Sequence, residues 1–204
     1  MKKIDILSIH GGTTFRNRVG YLDYLKNHKR VCMEPKEKWS GKYLDEALGK
    51  NYRIIRPQMP LKDNAKYEDW KIYFEKHLPL LSQKYILIGT SLGGIFLARY
   101  LSENKLKHKP LAVFMVAPPF DDTVTGPGEE LVGGFKLKND LSLITENCKN
   151  VTMMFSEDDP TVPKNHAEKY RAKLPKANIK MYKGKNGHFI VRKLPEIVRM
   201  IKKL

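Results

Sequence analysis

Cysteine is nearly absent from this chain: two residues in 204, Cys32 and Cys148, far apart and without CxxC spacing. That excludes a disulfide scaffold and a cysteine-based zinc ribbon. Long apolar runs are lacking too, and none approaches the roughly 20 residues of a membrane helix. The opening Met1-Lys2-Lys3, followed by an apolar stretch over 4–9, has the outline of a signal peptide. It fails as one because Asp5 interrupts the stretch and His10-Gly11-Gly12 ends it. The expected location is therefore the cytoplasm, without membrane insertion. Acidic residues are few, 22 Asp and Glu against 38 Lys and Arg, which leaves a net charge of +16. Such a balance attracts nucleic acid, anionic membranes or acidic substrates nonspecifically. The cations are scattered, with no run of five, which reads as a lysine-rich solvated surface and no specific nucleic-acid partner. Repeats, low-complexity tracts and an interdomain linker are also missing. Neither GxGxxG nor GxxxxGK followed by Ser or Thr comes after the first apolar run, which argues against a nucleotide-phosphate loop there.

The composition that remains is globular, with 41% hydrophobic and 29% charged residues. The length fits a single domain over 1–204. Six short apolar runs, at 4–9, 52–55, 85–88, 111–116, 151–155 and 179–182, read as strands covered on both faces. Helical periodicity lies between them. Trp70, Phe74, Leu78 and Leu81 recur at about one turn. The segment 92–101 is apolar nearly all round. Pro163 and Pro175 bracket a helix, and Leu194, Ile197, Val198, Ile201 and Leu204 share the face of a last one. Strand–helix alternation at this spacing predicts a parallel sheet with right-handed crossovers, a three-layer α/β sandwich of about six strands with helices on both faces. Residues 16–49 make a long first crossover with two helices, around 21–25 and 43–48, and are a candidate cap. Residues 118–138, rich in glycine and proline, read as a loop near the site.

Chemistry concentrates where runs end. Gly89-Thr90-Ser91-Leu92-Gly93 is a GxSxG pentapeptide set between a strand and an apolar helix, the setting of a nucleophile elbow. A serine hydroxyl needs a base. The order Ser…Asp…His selects His188, in Asn186-Gly187-His188-Phe189 after the last strand. His28, His77, His108 and His166 read as surface or satisfied core. The acid is one of two neighbours after the fifth strand, and Asp159 is preferred to Asp158, which reads as turn chemistry. An oxyanion needs donors. Leu92 N–H is one. The loop His10-Gly11-Gly12-Thr13 supplies the second from Gly12, or from Thr13, and His10 and Gly11 are placed at the substrate.

Together, His10-Gly11-Gly12, the Ser91 pentapeptide, Ser156-Glu157-Asp158-Asp159-Pro160-Thr161-Val162-Pro163 and Gly187-His188-Phe189 resemble the α/β-hydrolase superfamily. Within it the chain is similar to the small serine hydrolases of the retinoblastoma-binding-protein-9/YdeN type. The resemblance covers nearly the whole chain. It implies a Ser91–Asp159–His188 triad, a compact sheet without the superfamily's first antiparallel strands, and carboxylesterase-like activity on a small-molecule acyl substrate. The Leu-x-Cys-x-Glu peptide associated with pocket-protein binding is absent, so that partner is not implied. The expected chemistry is hydrolysis of an ester, or of a thioester or amide, through an acyl-enzyme, with no metal or organic cofactor. The alternative is a basic binding protein on a hydrolase fold with a vestigial triad. Arg16 and Arg18 after the first loop, and Lys183 and Lys185 before His188, are expected to border the site, where they would steer anionic substrates.

Overall fold

The computed structural model describes residues 3–29, 31, 33, 37–126 and 130–204. Cys32, Pro127 and Gly128 lie outside the described residues. The sheet has six strands: β1 (Ile4–Ile9), β2 (Tyr52–Ile55), β3 (Tyr85–Thr90), β4 (Ala112–Val116), β5 (Val151–Ser156) and β6 (Asn178–Tyr182). All six apolar runs of the sequence become strands, ordered β2-β1-β3-β4-β5-β6, and every pairing is parallel. Parallel pairing needs crossovers, and helices supply them: α1 (Arg18–Asp23), α2 (Lys42–Leu48), α3 (Tyr67–His77), α4 (Leu92–Glu103), α5 (Ser142–Asn147), α6 (Asn165–Lys173) and α7 (Pro195–Ile201).

Successive side chains of a strand face opposite ways, so an unbroken apolar run feeds two cores. Leu7, Leu87, Val113, Met115 and Met153 pack under Trp70, Phe96, Ile144 and Tyr170, from α3 to α6. Their neighbours Ile6, Ile86, Ile88, Phe114 and Met154 pack under Leu44 of α2 and Ile197 and Ile201 of α7. The segregation follows from right-handed crossovers. Steps toward β6 put their helices on one face, and the single step from β1 back to β2 puts α2 on the other.

The long first crossover divides in two. Asn17 caps α1 by accepting from Gly20 N–H at 2.9 Å. No residue of α1 is buried, and it leans on Phe15 through Tyr21. A π turn over Tyr24–His28 follows. The second helix, α2, is an ordinary crossover helix with Leu44 and Leu48 buried, so it is not a cap. Among the described residues, 118–138 hold neither helix nor strand, as the glycines and prolines predict. The sequence reading missed α5, whose six residues bury only Ile144 and Asn147 and carry too short a period to register. No helix among the described residues is long and apolar enough to cross a membrane.

Candidate active site

Crossovers leave in opposite directions from β1 and β3, which opens a crevice above the carboxyl ends of these strands, where open α/β sheets bind ligands. Ser91 stands at its floor. The chain must turn from strand to helix in one residue, and Ser91 does so at φ 52° and ψ −119°. This left-handed conformation is strained for a serine and is held from both sides. Ser91 N–H donates to Val116 O at 2.8 Å, and Gly94 N–H donates to Ser91 O at 2.8 Å. The flanking glycines are required by close approach. A Cβ on Gly89 would lie 2.3 Å from Gly93 O, and one on Gly93 would lie 2.5 Å from Ile9 O. All five described non-glycine residues with positive φ, Leu61, Ser91, Ala117, Asn186 and Phe189, fall in segments leaving the carboxyl end of the sheet.

Asp159 is buried just beyond β5. Its Oδ1 accepts Thr161 N–H at 2.9 Å and Val162 N–H at 3.0 Å. Its Oδ2 lies 2.7 Å from His188 Nδ1. His188 Nε2 is buried and has no hydrogen-bond partner among the described residues. Asp158 turns the other way. It accepts from Ser156 Oγ–H and, at 3.1 Å, from Gly187 N–H. It thereby clips the histidine loop to the end of β5, and the two hydrogen bonds lower its pKa, the serine hydroxyl contributing most. Of the two carboxylates left open by the sequence, Asp159 is the one in contact with the imidazole.

The His10-Gly11-Gly12 turn lies against Ser91: a Cβ on Gly11 would be 3.2 Å from Ser91 Cβ. His10 does not present a ring nitrogen to the crevice. Its Nε2 accepts Met59 N–H at 2.9 Å, so the ring proton sits on Nδ1 and donates to Gly11 O at 2.6 Å. Both ring nitrogens of His10, which the sequence places at the substrate, are thus engaged by main chain. Burial is the main cause of a lowered His10 pKa, and Lys62 and Lys38 add to it. In a trans peptide the carbonyl and the following N–H point opposite ways. Anchoring Gly11 O to the ring therefore turns Gly12 N–H away from it. Gly12 lines a cavity shared with Ser91 and Leu92.

That cavity has a volume of about 10 Å³, close to the least that holds one water. Thr14, Pro119, Val124, Glu130, Leu131 and Val162 complete its wall. None is a site candidate from the sequence, although four lie in the 118–138 loop expected near the site. The loop is pinned at both ends. Tyr170 O–H donates to Pro119 O at 2.9 Å, and Phe120 N–H donates to buried His166 Nδ1 at 2.9 Å. At the far end Val132 N–H donates to Thr14 Oγ1 at 3.0 Å, and Arg16 N–H donates to Glu130 Oε2 at 3.2 Å.

The cations expected to border the site are largely paired. Arg16 lies 3.4 Å from Glu130, Lys183 4.0 Å from Glu157 and Lys185 2.6 Å from Glu196. Arg18 rests over the Tyr21 ring.

The sequence profile of the serine hydrolase family matches residues 34–194. No curated protein matches the sequence. Among solved structures, the ydeN gene product of Bacillus subtilis is 18% identical, with 98% of each chain covered and a TM-score of 0.75. A YdeN-like hydrolase of Pectobacterium atrosepticum is 15% identical over 98% of this chain and 90% of its own, with a TM-score of 0.64. A structure from Nitrososphaera gargenis, described among carboxylesterases, is 14% identical over 98% and 89%, with a TM-score of 0.60. The chain shares its fold with these YdeN-like structures, and the family match shows that it belongs to the serine hydrolase family.

Proposed function

We propose that this hydrolase cleaves carboxylic esters through Ser91, His188 and Asp159. The observation that carries the reading is the 2.7 Å contact of His188 Nδ1 with Asp159 Oδ2, which leaves Nε2 buried and unpartnered among the described residues, on a loop that leaves the same end of the sheet as Ser91. Asp159, fixed by two main-chain N–H groups, holds the proton on Nδ1 and keeps Nε2 a base. In the proposed cycle Nε2 takes the Ser91 proton as Oγ attacks the acyl carbon. Negative charge on the acyl oxygen meets Leu92 N–H, free of an intrahelical partner at the first position of α4, and Gly12 N–H. His188 then protonates the leaving alcohol, and water activated by the same nitrogen releases the acid. The narrow cavity beside Ser91 favours a short acyl group. The low cysteine content fits the reducing cytoplasm.

A fluorophosphonate probe and a panel of p-nitrophenyl esters of graded chain length test the reading. Wild type should be labelled and should turn over the short esters. Ser91→Ala should lose labelling and at least about 10³-fold in kcat, because triad members act as a unit. If Ser91→Ala keeps more than about a tenth of wild-type turnover, the assignment fails.

A further inference from the structure

Crossover helices that run antiparallel to the strands bring their first turns to the carboxyl end of the sheet. At that end the approach to α2, the residue after β2 and the approach to α7 enclose a groove of about 580 Å³. Five of its ten lining residues are cations: Lys38, Lys42, Arg56, Arg192 and Lys193. Lys and Arg are 38 of 204 residues overall, so the groove is far richer in cations than the chain as a whole. Glu37 and Glu46 also line it.

The five cations divide by their contacts. Arg56 builds the groove: its Nε donates to Ser40 O at 2.7 Å, and its two other guanidinium nitrogens reach Gly41 O at 3.3 Å and Asp45 at 3.1 Å. Lys42 lies 3.6 Å from Glu46. Lys38, Arg192 and Lys193 are exposed and have no ion-pair partner among the described residues. Trp39 N–H donates to Val191 O at 3.0 Å, which locks the segments bearing these three side by side. Val191 is three residues beyond His188, and Lys38 contributes positive potential at the His10 ring. The groove is thus linked to the crevice along both the histidine loop and the His10 loop. The cavity beside Ser91 is different in kind. It is narrow, is walled largely by Leu92, Val124, Leu131 and Val162, and has no lysine or arginine in its lining. An anionic acyl chain meets no cation in that lining, whereas the groove offers three, so an anion on the substrate belongs to the leaving side. One arginine fork flanked by two lysines matches a dianionic phosphate better than a single carboxylate.

We infer that this groove is a subsite for a phosphate-bearing leaving group, so that the substrate is a short acyl ester or thioester of a phosphorylated alcohol or thiol. The inference rests on the acyl-transfer reading of Ser91. The bond from Ser91 Oγ to the acyl carbon forms as the carbon–oxygen or carbon–sulfur bond breaks. The phosphorylated alcohol or thiol leaves with the proton from His188, and water completes hydrolysis.

Two measurements test it, on wild type, on Lys38→Ala/Arg192→Ala/Lys193→Ala, and on a control, Lys105→Ala/Lys107→Ala/Lys109→Ala, that removes the same charge near the opposite end of the sheet. The first compares kcat/KM for 4-acetoxyphenyl phosphate and phenyl acetate. The groove variant should lose about tenfold or more on the phosphate ester, mainly through KM, as expected when charge-assisted bonds to a ligand are removed. Phenyl acetate should be unaffected. The second is calorimetric binding of inorganic pyrophosphate, which the groove variant should lose and the control should keep. Absence of pyrophosphate binding to wild type, or equal effects of groove variant and control, overturns the subsite. Failure of wild type to cleave either ester, with pyrophosphate binding still dependent on the groove, overturns the Ser91 reading and leaves the anion site standing.

Discussion

At Asp159 two main-chain N–H groups fix one carboxylate oxygen and direct the other at His188, while Asp158 next to it faces the serine of β5 and Gly187. Adjacent residues of the same type thus have different duties. Asp159→Asn should favour the wrong imidazole tautomer and lower kcat by on the order of 10⁴-fold, the loss known for this substitution in a serine-protease triad. Asp158→Asn should keep most of the turnover and lower the unfolding midpoint, since it loosens a loop clip and leaves the imidazole contact intact. Steady-state kinetics beside urea unfolding separates the two, and equal losses in kcat would move the role of acid to Asp158. His10 acts at one remove. With both ring nitrogens on main chain, His10→Phe should free the Gly11–Gly12 peptide to turn and, on the proposed role of Gly12 N–H, reduce kcat by about tenfold or more with a smaller change in KM. A change confined to KM would return His10 to direct substrate contact. Ser91 and His188 stand out as candidates in the sequence because a GxSxG pentapeptide between strand and helix and a histidine in a glycine loop have local signatures. The engagement of His10 was not, because Met59 lies 49 positions away and no motif joins them.

At the scale of elements, the elbow depends on β3 and α4 meeting without side chains between them. Gly93 packs against the carbonyls of Ile9 and His10, at 2.5 and 2.6 Å from where a Cβ would be. Gly93→Ala must push β1 and the glycine loop after it away from α4. It should destabilise by on the order of 3 kcal/mol, well beyond an ordinary helix glycine, whose replacement by alanine stabilises. Urea unfolding measures this directly, and a stability gain would show that the contact relaxes at little cost. Strand positions were legible because apolar runs of four to six residues with abrupt glycine or proline ends have few other readings. The helices α3, α4, α6 and α7 were legible through their buried stripes. The short α5 escaped because its order comes from Asn147, whose side chain accepts from Leu106 N–H and donates to Leu101 O and Asn104 O. Those are bonds between distant segments, which periodicity within α5 cannot announce.

For the molecule as a whole, the buried His166 and the half-buried His10 set a limit in acid. Burial is the leading cause of the lowered pKa at His10 and at His166, and both rings accept a main-chain N–H, from Met59 and Phe120. The unfolded chain takes up these protons near pH 6.5, whereas the folded rings resist them. Stability from this source is therefore complete above about pH 6.5 and falls as pH drops below it, since the unfolded state then binds more protons. The urea midpoint should fall between pH 7.5 and pH 5, and the fall should shrink in His166→Gln. A midpoint independent of pH over that interval would sink the argument. The net charge of +16 behaves differently at this scale, because its meaning depends on position. Pairing with Glu130, Glu157 and Glu196 occupies three cations expected to steer, while Lys38, Arg192 and Lys193, on either side of the Trp39–Val191 contact, have no ion-pair partner among the described residues. The amino-acid sequence by itself determined the strands, the parallel sandwich and the identities of Ser91, Asp159 and His188 as candidates, because each follows from local patterning and chain order. Only the tertiary structure decided which aspartate meets the imidazole, what the His10 ring holds, which wall narrows the cavity at Ser91 and where free positive charge collects. These are relations between loops from separate strands, and the crossover geometry of the sheet is what brings the loops together.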